Sequence, residues 1–254
     1  SQINEVLNYA YSNNVQLLDT ASSYGNSEEN LGKQSKIKEG AFKLVSKFNN
    51  LEKSVEQNLF DSFEKLNQSS LYGYLVHDFS LLKKKESLLD ELQELKNKGL
   101  IEKIGVSVYH PYQAIELANK SPLIDIIQLP YSIFDQRFNP ILKQLKALDI
   151  EIHARSIFLQ GLMFMDKDNL SEFFLPAFQK LTALNELSLQ TGVPIYSLAI
   201  NFVLSNKFID HLIIGISSVD DIKKNFSAQY NPLVNELILD QLYNLSISDD
   251  KIIH

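Results

Sequence analysis

The stretch FKLVSKFNNLEKSVEQNLFDSFEKLNQSSLYGYLVHDF, residues 42–79, decides the fold. FKLVSK (42–47) reads as a short strand. Val55, Leu59, Phe63 and Leu66 then recur at helical spacing and mark a helix with one apolar face. YGYLVHDF (72–79) returns as a second, more apolar strand. A strand, a crossover helix and a strand imply two parallel neighbours, because antiparallel strands need no such long return.

The same unit repeats outward in both directions. Upstream, Ile3, Val6, Leu7 and Ala10 form an amphipathic pattern ahead of the strand QLLDTA (16–21). Downstream, Leu88, Leu89, Leu92 and Leu95 mark a helix stopped by Gly99, and IEKIGVSVY (101–109) leads to a helix at 112–119 opened by Pro111. DIIQLPYS (125–132) precedes a helix at 140–148, where Asn139-Pro140 reads as a cap and a first-turn proline. EIHARSIFL (151–159) is followed by helices at 174–191 and 195–206, parted by Gly192 and Pro194. HLIIGISS (211–218) starts the last unit, with helices near 219–228 and 234–245. Units of about 25–30 residues fit a TIM (β/α)8 barrel. Seven strands are counted and the first barrel strand is expected to be missing, which suggests a fragment of a longer chain; an open doubly wound sheet is the structural alternative. No linker or composition break divides residues 1–254, so a single barrel domain is expected.

Composition narrows the function classes. The chain has 254 residues, 44% of them hydrophobic, a formal charge of -7 and a pI near 5.3, so it lacks the cationic field that nucleic acid requires. Without cysteine it offers no disulfide, thiolate nucleophile or sulfur-ligated metal. No apolar run reaches the roughly 20 residues of a membrane span and no signal peptide is seen, so a cytoplasmic protein without membrane partners is expected. Of 24 basic residues only two are arginines, Arg137 and Arg155. Both are placed at the barrel mouth, where a guanidinium fork suits a phosphate or a sugar acid. The runs Lys83-Lys84-Lys85 and Asp249-Asp250-Lys251 are expected to be merely solvated.

In a parallel barrel, chemistry gathers at the C-terminal strand ends. Asp19, Tyr24, Lys47 and His77 stand at or just beyond the ends of three consecutive strands. Each alone has an ordinary structural reading: a cap, a surface charge, a satisfied histidine. Together they form a proton-delivery device. A phenol titrates near 10, too high for easy exchange, and a neighbouring ammonium held by a carboxylate lowers that value. An imidazole can orient a carbonyl oxygen against the phenol. No side chain supplies hydride, so a cofactor must.

LLDTASSYGNSEENLGK (17–33) resembles the signature of the aldo-keto reductase family, and the resemblance runs nearly to the C-terminus. It implies an NAD(P)-dependent oxidoreductase reducing an aldehyde, ketone or sugar carbonyl, with Tyr24 as general acid, Asp19 and Lys47 tuning it, and His77 orienting the substrate. GVSVY (105–109) is similar to the segment whose serine, here Ser107, touches the nicotinamide amide, and Gln128 matches a second such contact; Val108 stands where an asparagine is frequent. HARSIFLQGLM (153–163) is similar to a loop that closes over the cofactor; Arg155 stands where relatives often have an aromatic and is expected to lie against the cofactor, with Ser156 beside it as a further cofactor-binding candidate. IIGISSVDDIKKNF (213–226) resembles the adenosine-phosphate motif, with Gly215, Ser217 and Asn225 matching by position. Asp221 replaces a frequent Arg or Gln and would repel a 2′-phosphate, although Lys223 and Lys224 could compensate. NADP(H) is thus favoured by the resemblance, with NAD(H) open. VSVYHP, QLPYSIFDQR and HARSIFLQGLM resemble a bacterial branch associated with surface-polysaccharide or sugar-nucleotide pathways. Tyr109, Phe134, Phe158 and Phe164 are candidate pocket walls. No metal is expected. Two other readings stand beside this one: a dinucleotide-binding redox-sensing or regulatory subunit with slow turnover, and a barrel enzyme using Lys47 as a Schiff-base nucleophile.

Overall fold

The fold was obtained as a computed structural model, which describes residues 2–120, 123–165 and 172–253. Helix α1 (Gln2–Ser12) leads into β1 (Leu17–Asp19), followed by short α2 (Ser27–Gly32) and α3 (Ser35–Lys38). Then come β2 (Lys43–Phe48), α4 (Val55–Leu66), β3 (Leu71–Val76), α5 (Ser80–Lys84), α6 (Leu88–Asn97), β4 (Ile101–Ser107) and α7 (Pro111–Ala118). The second half runs β5 (Ile126–Pro130), α8 (Asn139–Lys146), β6 (Glu151–Arg155), a 3-10 segment at Leu159–Phe164, α9 (Leu175–Thr191), α10 (Ile195–Leu204), β7 (His211–Leu212), α11 (Val219–Ala228), α12 (Glu236–Tyr243) and α13 (Asp250–Ile253).

The seven strands pair in sequence order, all parallel. Two contacts show that the sheet curls. Gln128 Nε2 on β5 donates to Asp19 Oδ1 on β1 at 2.8 Å, although four inter-strand steps separate them. A flat sheet would hold those strands about 19 Å apart. Tyr72 on β3 likewise reaches Glu151 on β6 at 2.8 Å. The architecture is an α/β barrel of seven strands, with β1 and β7 as its outer members.

Two apolar layers hold it. Between sheet and helices lies the main core, which includes Leu59, Leu66, Tyr74, Leu92, Ile104, Leu142 and Phe202, all buried. Inside the curl, Val45, Leu75 and Ile126 fill the lumen as a separate cluster. Their bulk explains two glycines. A β-carbon on Gly105 would lie 2.7 Å from Leu75 Cγ and 2.9 Å from Ile126 Cβ, and one on Gly73 would lie 3.0 Å from Ile126 Cδ1. The lumen is therefore closed by large residues on β2, β3 and β5 because β3 and β4 each give up a side chain to them.

Several expectations hold and several are corrected. Helix α11 coincides with its predicted span, and Gly99 follows α6 at φ +71°, the left-handed conformation of a helix stop. Asn139 does not cap α8: its carbonyl oxygen accepts the Tyr131 hydroxyl at 2.7 Å, and the helix has no side-chain cap. Lys83, 60% exposed, pairs at the surface with Glu116 of α7, and Lys85 pairs with Glu91 at 2.7 Å, so that charge run is solvated and also bridges neighbouring helices. Asp250 is bound by Arg137 at 2.8 Å. Among the described residues no single helix is long and apolar enough to cross a membrane.

Candidate active site

The strand order turns residues far apart in sequence into neighbours. Asp19 ends β1 and Lys47 lies near the end of β2, so both open onto the C-terminal mouth. Lys47 is fully buried and its Nζ donates to Asp19 Oδ2 at 2.5 Å and to the Thr20 carbonyl at 2.8 Å. Burial pulls the Lys47 ammonium below its ordinary range, and the Asp19 charge works against that pull. The same carboxylate accepts from Gln128, so Asp19 joins the first, second and fifth strands at one point.

Tyr24 follows β1 in a turn with its own supports. Its amide donates to the Ala21 carbonyl at 3.0 Å, and the Ser27 amide donates to the Tyr24 carbonyl at 3.0 Å. Thr20 Oγ1 donates to Ser27 Oγ at 2.9 Å, and buried Glu28 accepts from Ser46 Oγ of β2 at 2.6 Å. The polar run after the tyrosine thus pins the loop and α2 to the strand that carries Lys47. Lys47 Nζ stands 4.9 Å from the Tyr24 ring centroid. The His77 ring meets Tyr24 edge-on with centroids 5.6 Å apart, and His77 Nδ1 is 3.0 Å from Ser23 Oγ. Tyr24 remains 47% exposed, open to whatever enters the mouth.

The electrostatics differ from the simple picture of an ammonium lowering a phenol. Burial, and next the Asp19 charge, raise the Tyr24 hydroxyl above its ordinary range, while Arg155 opposes them. Lys47 is held in an ion pair with Asp19, and its Nζ faces the ring. Burial and the Lys47 charge push His77 below its ordinary range. The resting site holds a protonated phenol beside a neutral imidazole at neutral pH.

A cleft of about 910 Å³ starts at Asp19 and Tyr24 and runs past Arg155 to Gly215, Ser217 and Asn225. It also extends between α1, β1 and the β7 strand, where Leu17, Leu18 and Ile214 make it apolar. Arg155 closes one side: its guanidinium carbon lies 4.3 Å above the Tyr109 ring, with Nη2 donating to the Val108 carbonyl at 3.1 Å and Nη1 to Ser156 Oγ at 3.2 Å. Backbone of unusual shape follows, with φ near +59° at Ser156, +46° at Leu159 and +52° at Gln160, conformations that side-chain-bearing residues rarely adopt. Ser107 and Gln128 are buried, adjacent in register and do not line the cleft. Asp221 turns back on its own helix entrance: its Oδ2 accepts the Ser217 amide at 3.2 Å and the Ser217 hydroxyl at 2.5 Å, and these bonds hold its carboxyl below the ordinary range.

The model of the aldo/keto reductase family matches residues 1–239. The chain belongs to that family. A curated relative, the uncharacterized oxidoreductase YqkF of Bacillus subtilis (strain 168), is 23% identical over 185 residues, 68% of this chain and 60% of its own length. The match thus spans about three-fifths of that relative. Among solved structures the fold is similar to the holo form of aldo-keto reductase AKR11C1 from Bacillus halodurans, with a TM-score of 0.81 at 21% identity over 97% of this chain and 87% of that one. An aldo/keto reductase from Brucella melitensis aligns with a TM-score of 0.69 at 20% identity over 96% and 91% of the two chains.

Against this family frame, the structure gathers Asp19, Tyr24, Lys47 and His77 at one mouth and leaves two predicted mouth residues elsewhere. Arg137 is spent on Asp135, with Nε and Nη2 at 2.9 Å from its two oxygens, and on Asp250. Phe134 is fully buried in the core, where its carbonyl accepts the Ile247 amide at 2.8 Å. Of the other proposed walls, Tyr109 does face the site through Arg155, and Phe158 and Phe164 pack on each other at 5.3 Å. Two supports escaped the sequence reading: the Thr20 carbonyl, invisible because any residue has one, and Ser23, whose only signal is its place beside Tyr24.

Proposed function

We propose that this chain, read as one domain over residues 1–254, is an NAD(P)H-dependent reductase of aldehydes, ketones or sugar carbonyls. The observation that carries this reading is the buried Lys47–Asp19 pair set 4.9 Å below the ring of a half-exposed tyrosine. A protonated Tyr24 gives its proton to a carbonyl oxygen as carbon accepts hydride. His77, neutral and edge-on to Tyr24, donates to the same oxygen and fixes its position. Asp19 and Lys47 keep the loop and the charge balance around the phenol in place for the reverse step.

The cleft suits a dinucleotide in size and course, since it joins the tyrosine to the entrance of α11. Gly215 keeps open space where a β-carbon would stand, and Ser217 and Asn225 face the same wall. When bound, the reduced nicotinamide supplies the hydride. Arg155 and Ser156 are the residues assigned to its nicotinamide half, with buried Gln128 acting behind them through Asp19 and Ser107 beside it in register; Gly215, Ser217, Asp221 and Asn225 are those assigned to its adenosine half. The family supports NADP(H). Asp221 opposes it, because its carboxylate holds the Ser217 donors that a 2′-phosphate would use, and NAD(H) is the competing choice. Lys224 stands over Tyr196 at 4.3 Å.

The test is a panel of chemically varied aldehydes, ketones and sugar carbonyls with each cofactor, run beside Tyr24→Phe. Reduction that vanishes in the variant while cofactor affinity persists supports the reading. Cofactor binding with slow turnover indifferent to Tyr24→Phe would make the chain a sensor instead. Tighter binding of NAD(H) than of NADP(H) would overturn the cofactor preference.

A further inference from the structure

The opposite end of the barrel lumen carries a second polar constellation that carbonyl reduction does not use. Glu151 opens β6, His153 stands two residues on, and His211 opens β7 in register with His153. Glu151 Oε1 lies 2.8 Å from His153 Nε2 and 3.0 Å from His211 Nε2. The two imidazoles meet edge-to-face with centroids 4.9 Å apart. The other carboxylate oxygen accepts the Tyr72 hydroxyl at 2.8 Å and is paired with Lys103. One ligand atom from each of the three residues lies within 4.8 Å of the others.

We propose that Glu151, His153 and His211 bind one divalent transition-metal ion of the zinc type at the N-terminal end of the barrel. Two imidazole nitrogens and one carboxylate oxygen converging on a point are a donor set that zinc takes with a fourth position left to solvent. The set is preoriented as metal ligands usually are: Tyr72 and Lys103 hold the distal oxygen of Glu151 and so turn the proximal one toward the histidines. His153 is fully buried and gives the site a fixed wall, whereas the His211 side chain is 37% exposed and gives the ion a way in. Tetrahedral ligands about 2.0–2.1 Å from zinc stand roughly 3.4 Å apart. The observed 2.8 and 3.0 Å therefore require the carboxylate to back away by a few tenths of an ångström, and the two imidazoles, whose ligand atoms lie within 4.8 Å, to turn toward a common centre, which β7, a two-residue strand at the side of the sheet, is placed to allow. Lys103 competes for the carboxylate and sets a ceiling on affinity, and that competition supplies a variant of opposite sign.

The full chain is titrated with Zn²⁺ against a chromogenic chelator and with Co²⁺ by visible absorption. The expected result is one ion per chain with the ligand-field bands of tetrahedral cobalt. His211→Ala and Glu151→Gln each weaken binding by at least about tenfold. Lys103→Met strengthens it, and Tyr24→Phe leaves it unchanged. Absence of binding at one equivalent, or affinity indifferent to His211→Ala, overturns the proposal. Because His211 is partly exposed, that variant remains readable even where Glu151→Gln lowers the yield of folded protein.

Discussion

The phenol of Tyr24 illustrates how burial and charge combine at a single residue. With its hydroxyl raised above the ordinary range near 10, the acid form persists through neutral and mildly alkaline pH. Reduction needs that form, so its rate should fall only when pH climbs past the usual phenol range. His77, lowered below its ordinary value near 6.5, is neutral at pH 7 and charges only in more acidic solution. The pH profile of kcat/KM for carbonyl reduction should thus be a broad plateau with its acid limb below about 6.5, and His77→Gln should erase that limb. Tyr24→Phe should lower kcat by about 10²–10⁴-fold with cofactor affinity, measured by calorimetry, nearly unchanged. At Asp19 the energetics concern stability. Asp19→Asn leaves Lys47 charged and buried without its counterion, and urea denaturation should show a loss of about 3–5 kcal/mol. Adding Lys47→Met to that variant should restore part of it, since the stranded charge is gone.

Elements succeed or fail here by how they meet their neighbours. Gly32 at the end of α2 shows this sharply: a β-carbon there would lie 2.1 Å from the Lys65 carbonyl and 2.7 Å from the Leu66 backbone of α4. Backbone cannot swing aside as a side chain can. Gly32→Ala should therefore cost about 1–3 kcal/mol in urea denaturation, and it should reduce activity through displacement of the Tyr24 loop. Periodicity made the strands and long helices legible in advance, because Val55, Leu59, Phe63 and Leu66 must all reach one core whatever lies around them. It could not reveal who absorbs a polar group at a strand end. Arg137 looked like a mouth residue by position, yet Asp135, two residues before it, and Asp250, over a hundred residues on, consume its fork. Asn139 looked like a cap, yet the Tyr131 hydroxyl claims its oxygen. By contrast the four mouth residues were readable, since parallel topology alone sends the ends of β1, β2 and β3 to one face.

For the molecule as a whole, closure of the curl and fixation of the C-terminus depend on a few cross-chain contacts. Arg137 clamps α13 to the loop after β5 through Asp250. Arg137→Gln should free that last helix, read as faster amide exchange confined to residues 249–253 and to its contacts, with kcat unchanged. The plug formed by Val45, Leu75 and Ile126 has a separate effect on traffic. It parts the Asp19–Gln128 pair from the Glu151 cluster, whose His153 has no hydrogen-bond partner at Nδ1 among the described residues. Among the described residues no run of side-chain hydrogen bonds joins floor to mouth. Proton supply to Tyr24 should then be independent of the floor, and solvent isotope effects on turnover should ignore Glu151→Gln.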